Sequence, residues 1–303
     1  MIRSAGNRIT RFYRGFVRSL SFLSLLVPVQ GRVQRLYAAM GENSYFTDEK
    51  LFINLGFWEG ETRDLDVACE ALADKMATTA GLQSTDRVLD VGFGFGEQDV
   101  FWMKTYSPAE IIGINISKNQ VKRGQQLVRD AGMAETVFLM EGDALAIDFP
   151  DQSFDVVFGL ESVMHFEDRE PFFSEAYRVL KPGGRLVLAD ITGVSESISF
   201  WERCVQMFMG AFWQMPSKNL YGPKEYASKL DRYGFSQTSV KSIREQVYTP
   251  FIYYLGTKLK DKTFTRQLNW AYRIMSHGAY RVVRSLKRVP FDYVIVKAEK
   301  PEA

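Results

Sequence analysis

Imidazole is nearly missing from this chain: its 303 residues include two histidines, His165 and His277. A histidine-rich metal centre is therefore excluded, and no metal ligands are assigned. Cysteine is as scarce. Cys69 and Cys204 stand far apart and form no Cys-x-x-Cys pair, so neither a metal ribbon nor a disulfide framework is expected, only reduced structural thiols. No apolar run is long enough to cross a bilayer, because Ser19 to Val29 is about half of the roughly 20 residues a spanning helix needs. A net charge of +2 argues against a nucleic-acid surface spread over the whole protein. Acid is the most unevenly missing component. Residues 1–41 carry seven arginines (Arg3, Arg8, Arg11, Arg14, Arg18, Arg32 and Arg35) and no carboxylate, which leaves 31 basic against 36 acidic residues in the other 262.

That arm has a pattern of its own. Ile9, Phe12, Tyr13, Phe16, Val17 and Leu20 fall on one stripe of a helix, with Arg11, Arg14 and Arg18 on the other side. Three uses stay open: packing against the body or a second subunit, peripheral contact with an anionic membrane, and a targeting segment rich in arginine and serine. Residues 42–60 follow, dense in aromatics and turn formers. Asn54-Leu55-Gly56-Phe57-Trp58 has no simple periodicity, so it reads as a loop, either a staple for the next helix or a flap over a ligand. A helix over about 64–80 then leads into the body.

The body is organised around residues 86–99. Val88 to Val91 is a short apolar run holding one carboxylate, Asp90, and it delivers three glycines at alternate positions, Gly92, Gly94 and Gly96. A buried strand turning tightly into a helix is the expectation. Glycine suits a chain that must adopt positive φ or admit a ligand close to its backbone, and the helix start offers N–H groups to a negative group. The spacing departs from the dinucleotide fingerprint, whose third glycine comes one position later. Beyond it, helix and strand alternate, the signature of a parallel sheet covered on both faces.

Asp90-x-Gly92-x-Gly94-x-Gly96 resembles the first motif of class I S-adenosylmethionine-dependent methyltransferases, and the resemblance continues in order to Gly183-Gly184. Three stretches are similar to the erythromycin-type sugar O-methyltransferases and their tocopherol-type relatives. These are Asn54 to Trp58, Asp90 to Asp99, and Leu160-Glu161-Ser162 with His165 and Phe166. The resemblance implies an α/β, Rossmann-like fold with a seven-stranded, mostly parallel sheet, an antiparallel last strand and helical lid insertions, to which the residues themselves add the N-terminal helical arm. In domain terms this gives an arm over 1–41, an aromatic flap and helix over 42–80, and a core over 81–303 with insertions near 192–222 and 245–289.

The same resemblance implies S-adenosylmethionine as cofactor and assigns residues to it. The glycine loop and Asp90 approach its amino-acid end, with Tyr45 and Trp58 covering that end from the flap. Asn115, at the end of the second strand, stands where many relatives carry a ribose-binding acid, so Ser117 and Gln120 are expected to share that work. Asp143 and Ala144, after the third strand, match the adenine position, although Asp143 could equally cap the next turn.

Glu161-Ser162-Val163-Met164-His165 leaves the fourth strand, and Asp190 ends the fifth. Methyl transfer to a hydroxyl needs an acceptor held near the methyl carbon and a base for the proton. A neutral histidine can be that base and a carboxylate can orient it. His165 and Asp190 match the pair given these roles in sugar O-methyltransferases, and Glu161 competes as a base or a cofactor ligand. Residues 195–219 are rich in aromatics and Met, which is more often core than lid. Their place beyond the sheet edge favours a lid. Phe57, Met164, Phe208, Phe212, Trp213 and Tyr254 are the candidates for touching the acceptor.

The expected activity is methyl transfer to a bulky, largely apolar small molecule, at a hydroxyl. C-methylation of an isoprenoid and a non-catalytic cofactor-binding scaffold are the alternatives. The expected location is cytoplasmic, with membrane contact through the arm and self-association as further partner expectations, and no nucleic acid.

Overall fold

The structure is a computed structural model that describes residues 47–302 apart from 269 and 287. The arm over 1–41, Tyr45 and the start of the flap lie outside the described residues, and of Phe212 only the backbone is described. The chain divides into two compact units, Thr47–Phe251 with Val289–Ala303, and Met1–Phe46 with Ile252–Arg288.

The larger unit is the sheet and its helices. It begins with α1 (Leu65–Ala80), whose N-cap Asp64 accepts from the Asp66 N–H and whose C-cap Gly81 adopts a left-handed conformation. Then come β1 (Arg87–Val91), α2 (Glu97–Tyr106), β2 (Glu110–Asn115), α3 (Lys118–Asp130), β3 (Val137–Glu141) and β4 (Phe154–Leu160). A 3₁₀ turn (Val163–His165), α4 (Arg169–Val179), β5 (Leu180–Thr192), α5 (Phe200–Phe212), α6 (Pro223–Arg232) and β6 (Ser236–Ser242) follow, and β7 (Asp292–Glu299) closes the chain.

The seven strands lie in the order β3-β2-β1-β4-β5-β7-β6. β1 to β5 pair in parallel, and β7 runs antiparallel to both β5 and β6. This is the expected sheet, last strand included. Its centre is dry on both faces: Val88, Leu89, Val156, Val157, Phe158, Leu186, Val187 and Leu188 are fully buried, as befits strands covered by helices on either side. Lys181-Pro182-Gly183-Gly184 opens β5, with Gly183 at φ 73° donating its N–H to the Lys300 carbonyl.

The smaller unit contains most of the second insertion. Helix α7 (Arg244–Lys258) leads into it, followed by α8 (Lys262–Gln267) and α9 (Trp270–Ser285). Among the described residues, no helix is long and apolar enough to cross a membrane.

Candidate active site

Strand order reverses between β1 and β4, and in an open parallel sheet that switch point leaves a crevice beyond the carboxyl ends of the strands. The sequence-predicted residues that follow β1, β2, β3 and β4 all belong to that edge. Gly92, Gly94 and Gly96 adopt φ of 77°, 58° and 85°, a region that side chains rarely tolerate. Space is short as well. A Cβ on Gly92 would stand 2.4 Å from the Ser162 Cβ, and Ser162 is itself fixed by donating its hydroxyl to the Val91 carbonyl at 2.6 Å. The loop is thus wedged between β1 and the segment leaving β4.

Asp90, fully buried in β1, accepts from the Gln98 side-chain amide at 3.0 Å. Its neighbour is Asp99, fully buried in the first turn of α2 and not singled out from the sequence. Apart from a hydrogen bond between the two carboxyl groups and one to Asp99 from its own backbone N–H, Asp90 Oδ1 and the Asp99 oxygens meet no hydrogen donor. Two carboxyl groups side by side without a cation cannot both ionise. Burial pushes Asp90 up to about 7, opposed by the Gln98 and Asp99 hydrogen bonds. Asp99 is driven further up, by burial and by the Asp90 charge. The pair retains a proton and has an unmet acceptor, an arrangement that suits an incoming cation.

At the end of β2, the Asn115 amide donates to Gln120 Oε1 at 3.2 Å and to the Gly94 carbonyl at 3.4 Å, while its oxygen accepts from the Ser117 N–H at 3.0 Å. An acid there could not make the two donations, so the departure from a carboxylate ties the glycine loop to the start of α3. After β3, Asp143 is exposed and accepts from the Leu145 N–H at 2.9 Å, beside buried Ala144.

Glu161 is the most constrained of the candidates. It sits at φ 47°, a strained value for a side chain with a Cβ. It is buried, and its Oε1 accepts from the Leu55 N–H at 2.7 Å and the Tyr293 hydroxyl at 2.6 Å. Burial raises its carboxyl to about 7 against the pull of those two donors. The bond to Leu55 fastens the flap over the edge, and two further carboxylates assist. Glu97 accepts from the Leu51 N–H, and Asp66 accepts from the N–H groups of Asp48, Glu49 and Lys50. Ile53 then lies against Gly94. Trp58 donates its indole N–H to the Leu55 carbonyl and is buried, whereas the Phe57 ring lies under the Lys75 ammonium of α1.

The expected pairing of His165 with Asp190 is not the one observed. Asp190 Oδ2 meets Arg169 Nε at 2.9 Å and the Tyr226 hydroxyl at 2.9 Å, while Oδ1 accepts from the Ile191 N–H. Arg169 is fully buried at the start of α4. Burial disfavours its charge, but the Asp190 carboxylate together with Tyr226 and Tyr221 outweighs that and keeps the guanidinium protonated. An arginine placed there needs a carboxylate, and Asp190 supplies it. His165 turns instead to the end of α5, where its ring bonds the backbone of Gln214 and Trp213. Burial lowers its pKa to about 4, those carbonyls opposing and the nearby Arg169 charge assisting, so the ring is neutral at ordinary pH.

Met164 is buried beside it and Trp213 packs on Phe291 with ring centres 5.6 Å apart. Phe208 is not brought in: it is 68 % exposed, whereas Val205 and Met209 of α5 are buried. Tyr254 belongs to the smaller unit. Tyr293, Arg169 and Asp99 were missed from the sequence. The one available signal was for Asp99, an acid that directly precedes the apolar run Val100 to Met103.

Residues 89–188 match the family model described as a methyltransferase domain. Over 283 residues the chain is 32 % identical to erythromycin 3''-O-methyltransferase of Saccharopolyspora erythraea, covering 91 % of this chain and 92 % of that one. The chain belongs to the S-adenosylmethionine-dependent methyltransferases. It is a small-molecule methyltransferase of the class I group, and S-adenosylmethionine is its cofactor. A second relative of this methyltransferase is the 27-O-demethylrifamycin SV methyltransferase of Amycolatopsis mediterranei, 40 % identical over 135 residues, or 45 % of this chain and 49 % of that one. The fold likeness extends to geranyl diphosphate C-methyltransferase from Streptomyces coelicolor, with a TM-score of 0.64 at 18 % identity over 86 % of this chain and 96 % of that one.

Proposed function

We propose that this methyltransferase acts on a hydroxyl of a bulky, largely apolar small molecule and that His165 takes the hydroxyl proton. The observation that carries the base is the ring of His165, neutral and bonded to the carbonyls that close α5. A neutral imidazole whose one nitrogen donates to a carbonyl presents the other as an acceptor. As the proton arrives, the negative end of α5 favours the imidazolium, a role that the family resemblance assigned to Asp190.

The cofactor supplies an electrophilic methyl group on a sulfonium. The residues present fit it. The loop of Gly92, Gly94 and Gly96 lets a ligand approach the backbone, and Asp90, with its unmet oxygen, offers an acceptor to an ammonium. Asn115, Ser117 and Gln120 hold the end of β2, and Asp143 with Ala144 the end of β3. Glu161 and Trp58 close the flap side. One positive charge is lost at the donor when one appears on His165, so the buried site keeps its total charge and no counter-ion has to enter. Oxygen rather than carbon as the acceptor atom is supported by the O-methyltransferase that is similar over nine-tenths of the chain.

A second reading has one observation behind it. Glu161, poised near 7, is tuned for proton removal, which would serve C-methylation. An acceptor that partitions into lipid also accords with peripheral membrane contact by the arm over 1–41. Incubation with methyl-labelled cofactor and a panel of hydroxylated and isoprenoid acceptors, read by mass spectrometry and product NMR, tests both. A labelled ether supports the first reading, a labelled carbon the second, and no labelled product in any fraction removes both.

A further inference from the structure

Charge in this protein is sorted between its two units. Of 38 basic and 36 acidic residues, Met1–Phe46 and Ile252–Arg288 together hold 16 and 2. The unit of Thr47–Phe251 and Val289–Ala303 therefore holds 22 basic and 34 acidic residues, net −12 against +14. A total of +2 conceals this. Within 252–288 the one carboxylate, Asp261, is already used, since it caps α8 by accepting from the Thr263 N–H at 2.7 Å.

The cations have an ordered display on α9. Arg273, Arg281 and Arg284 are exposed and fall on one helical face, and no acid occurs anywhere in the helix. Beside them on the exposed surface stands Ile274, 62 % exposed. At the C-terminal half of the helix a groove of about 460 Å³ opens between Lys260, His277, Tyr280, Arg281, Arg284 and Ser285. It is built by a close helix crossing: a Cβ on Gly256 would stand 2.4 Å from the Tyr280 hydroxyl, so only glycine lets that ring seat. Guanidinium groups around a small concavity match the geometry of phosphate oxygens.

We propose that the exposed face of α9, with the groove at its C-terminal half, is a docking surface for the phosphate headgroups of an anionic lipid bilayer. One feature favours lipid over nucleic acid: Ile274, a large apolar side chain next to Arg273, is exposed on the same helix, as on interfacial helices. The proposal does not depend on which residue serves as base.

The test uses the full chain and flotation with vesicles of phosphatidylcholine alone or with about a third phosphatidylglycerol. The expected result is binding to the anionic vesicles only, weakened as salt rises from about 0.05 to about 0.5 M. Each cation near such a surface contributes roughly fivefold, so the triple variant Arg273→Gln, Arg281→Gln, Arg284→Gln should bind about a hundredfold more weakly. Neutralising Lys122, Arg123 and Arg129, exposed on α3, is the matched control and should change little. Melting curves confirm that both variants fold, and Arg281→Gln alone, expected to lose about fivefold, is the milder check. Equal binding to neutral vesicles, or a triple variant that binds like wild type, overturns the proposal. So does loss of binding only when exposed Phe200, Trp201 and Phe208 of α5 become serine, and so does tighter retention by duplex DNA than by vesicles at the same salt.

Discussion

Asp99→Asn tests the buried carboxyl pair at the base of the cofactor loop. The substituted amide keeps the shape, removes one titrating group, and presents an N–H permanently to Asp90, whose Oδ1 has no donor from outside the pair. Asp90 is raised in the folded protein from 3.8 to about 7, whereas in the unfolded chain it titrates near the ordinary value. A carboxyl shifted upwards contributes stability that is fully present below about 4 and is lost as pH rises through about 7. A shift of about 3 units corresponds to roughly 4 kcal/mol, of which the asparagine should recover about 2–4 kcal/mol at pH 8. For a chain of this size, that is a rise in Tm of roughly 5–10 °C. Calorimetric melts of both proteins between about pH 5 and 8.5 make the comparison. The variant should melt higher at pH 8, show a flatter Tm profile, and approach wild type as pH falls towards about 4. A variant that melts lower at pH 8 with the wild-type slope would refute the shared proton.

Further outcomes follow from the same geometry. His165→Ala should lower turnover about 10²–10⁴-fold while calorimetry shows unchanged affinity for S-adenosylhomocysteine, because the ring is given no part in holding the cofactor. Arg169→Met should destabilise by about 3–5 kcal/mol, read by urea unfolding, since it leaves the buried Asp190 charge unpaired; adding Asp190→Leu should return most of that loss. Glu161 fastens the flap best as a carboxylate, so kcat/KM should rise with pH through about 7 in wild type, and Glu161→Gln should flatten that limb.

The sheet was legible in the sequence because its central strands are nearly unbroken apolar runs and its first turn is marked by glycines that few other residues could replace. The first strand, expected over Val88 to Val91, is Arg87–Val91. The side-chain partners were not legible. Glu161 meets Leu55 and Tyr293, which lie 106 and 132 positions away, and no local pattern encodes such meetings. Asp190 was given to His165 because both leave neighbouring strands. The competitor was Arg169, whose buried, permanent charge claims a carboxylate more strongly than a neutral ring does. Asn115 shows a third kind of difference: the replaced acid is explained by two amide donations that only the folded loop reveals.

Product analysis addresses the account most directly. Wild type and His165→Ala are incubated with methyl-labelled S-adenosylmethionine and the acceptor panel, and the methylated atom is located by NMR. The account predicts one labelled methyl ether on an apolar acceptor, formed by wild type and reduced at least tenfold in the variant at equal cofactor occupancy. A methyl group found on carbon, or an ether formed at the same rate by both proteins, would contradict it.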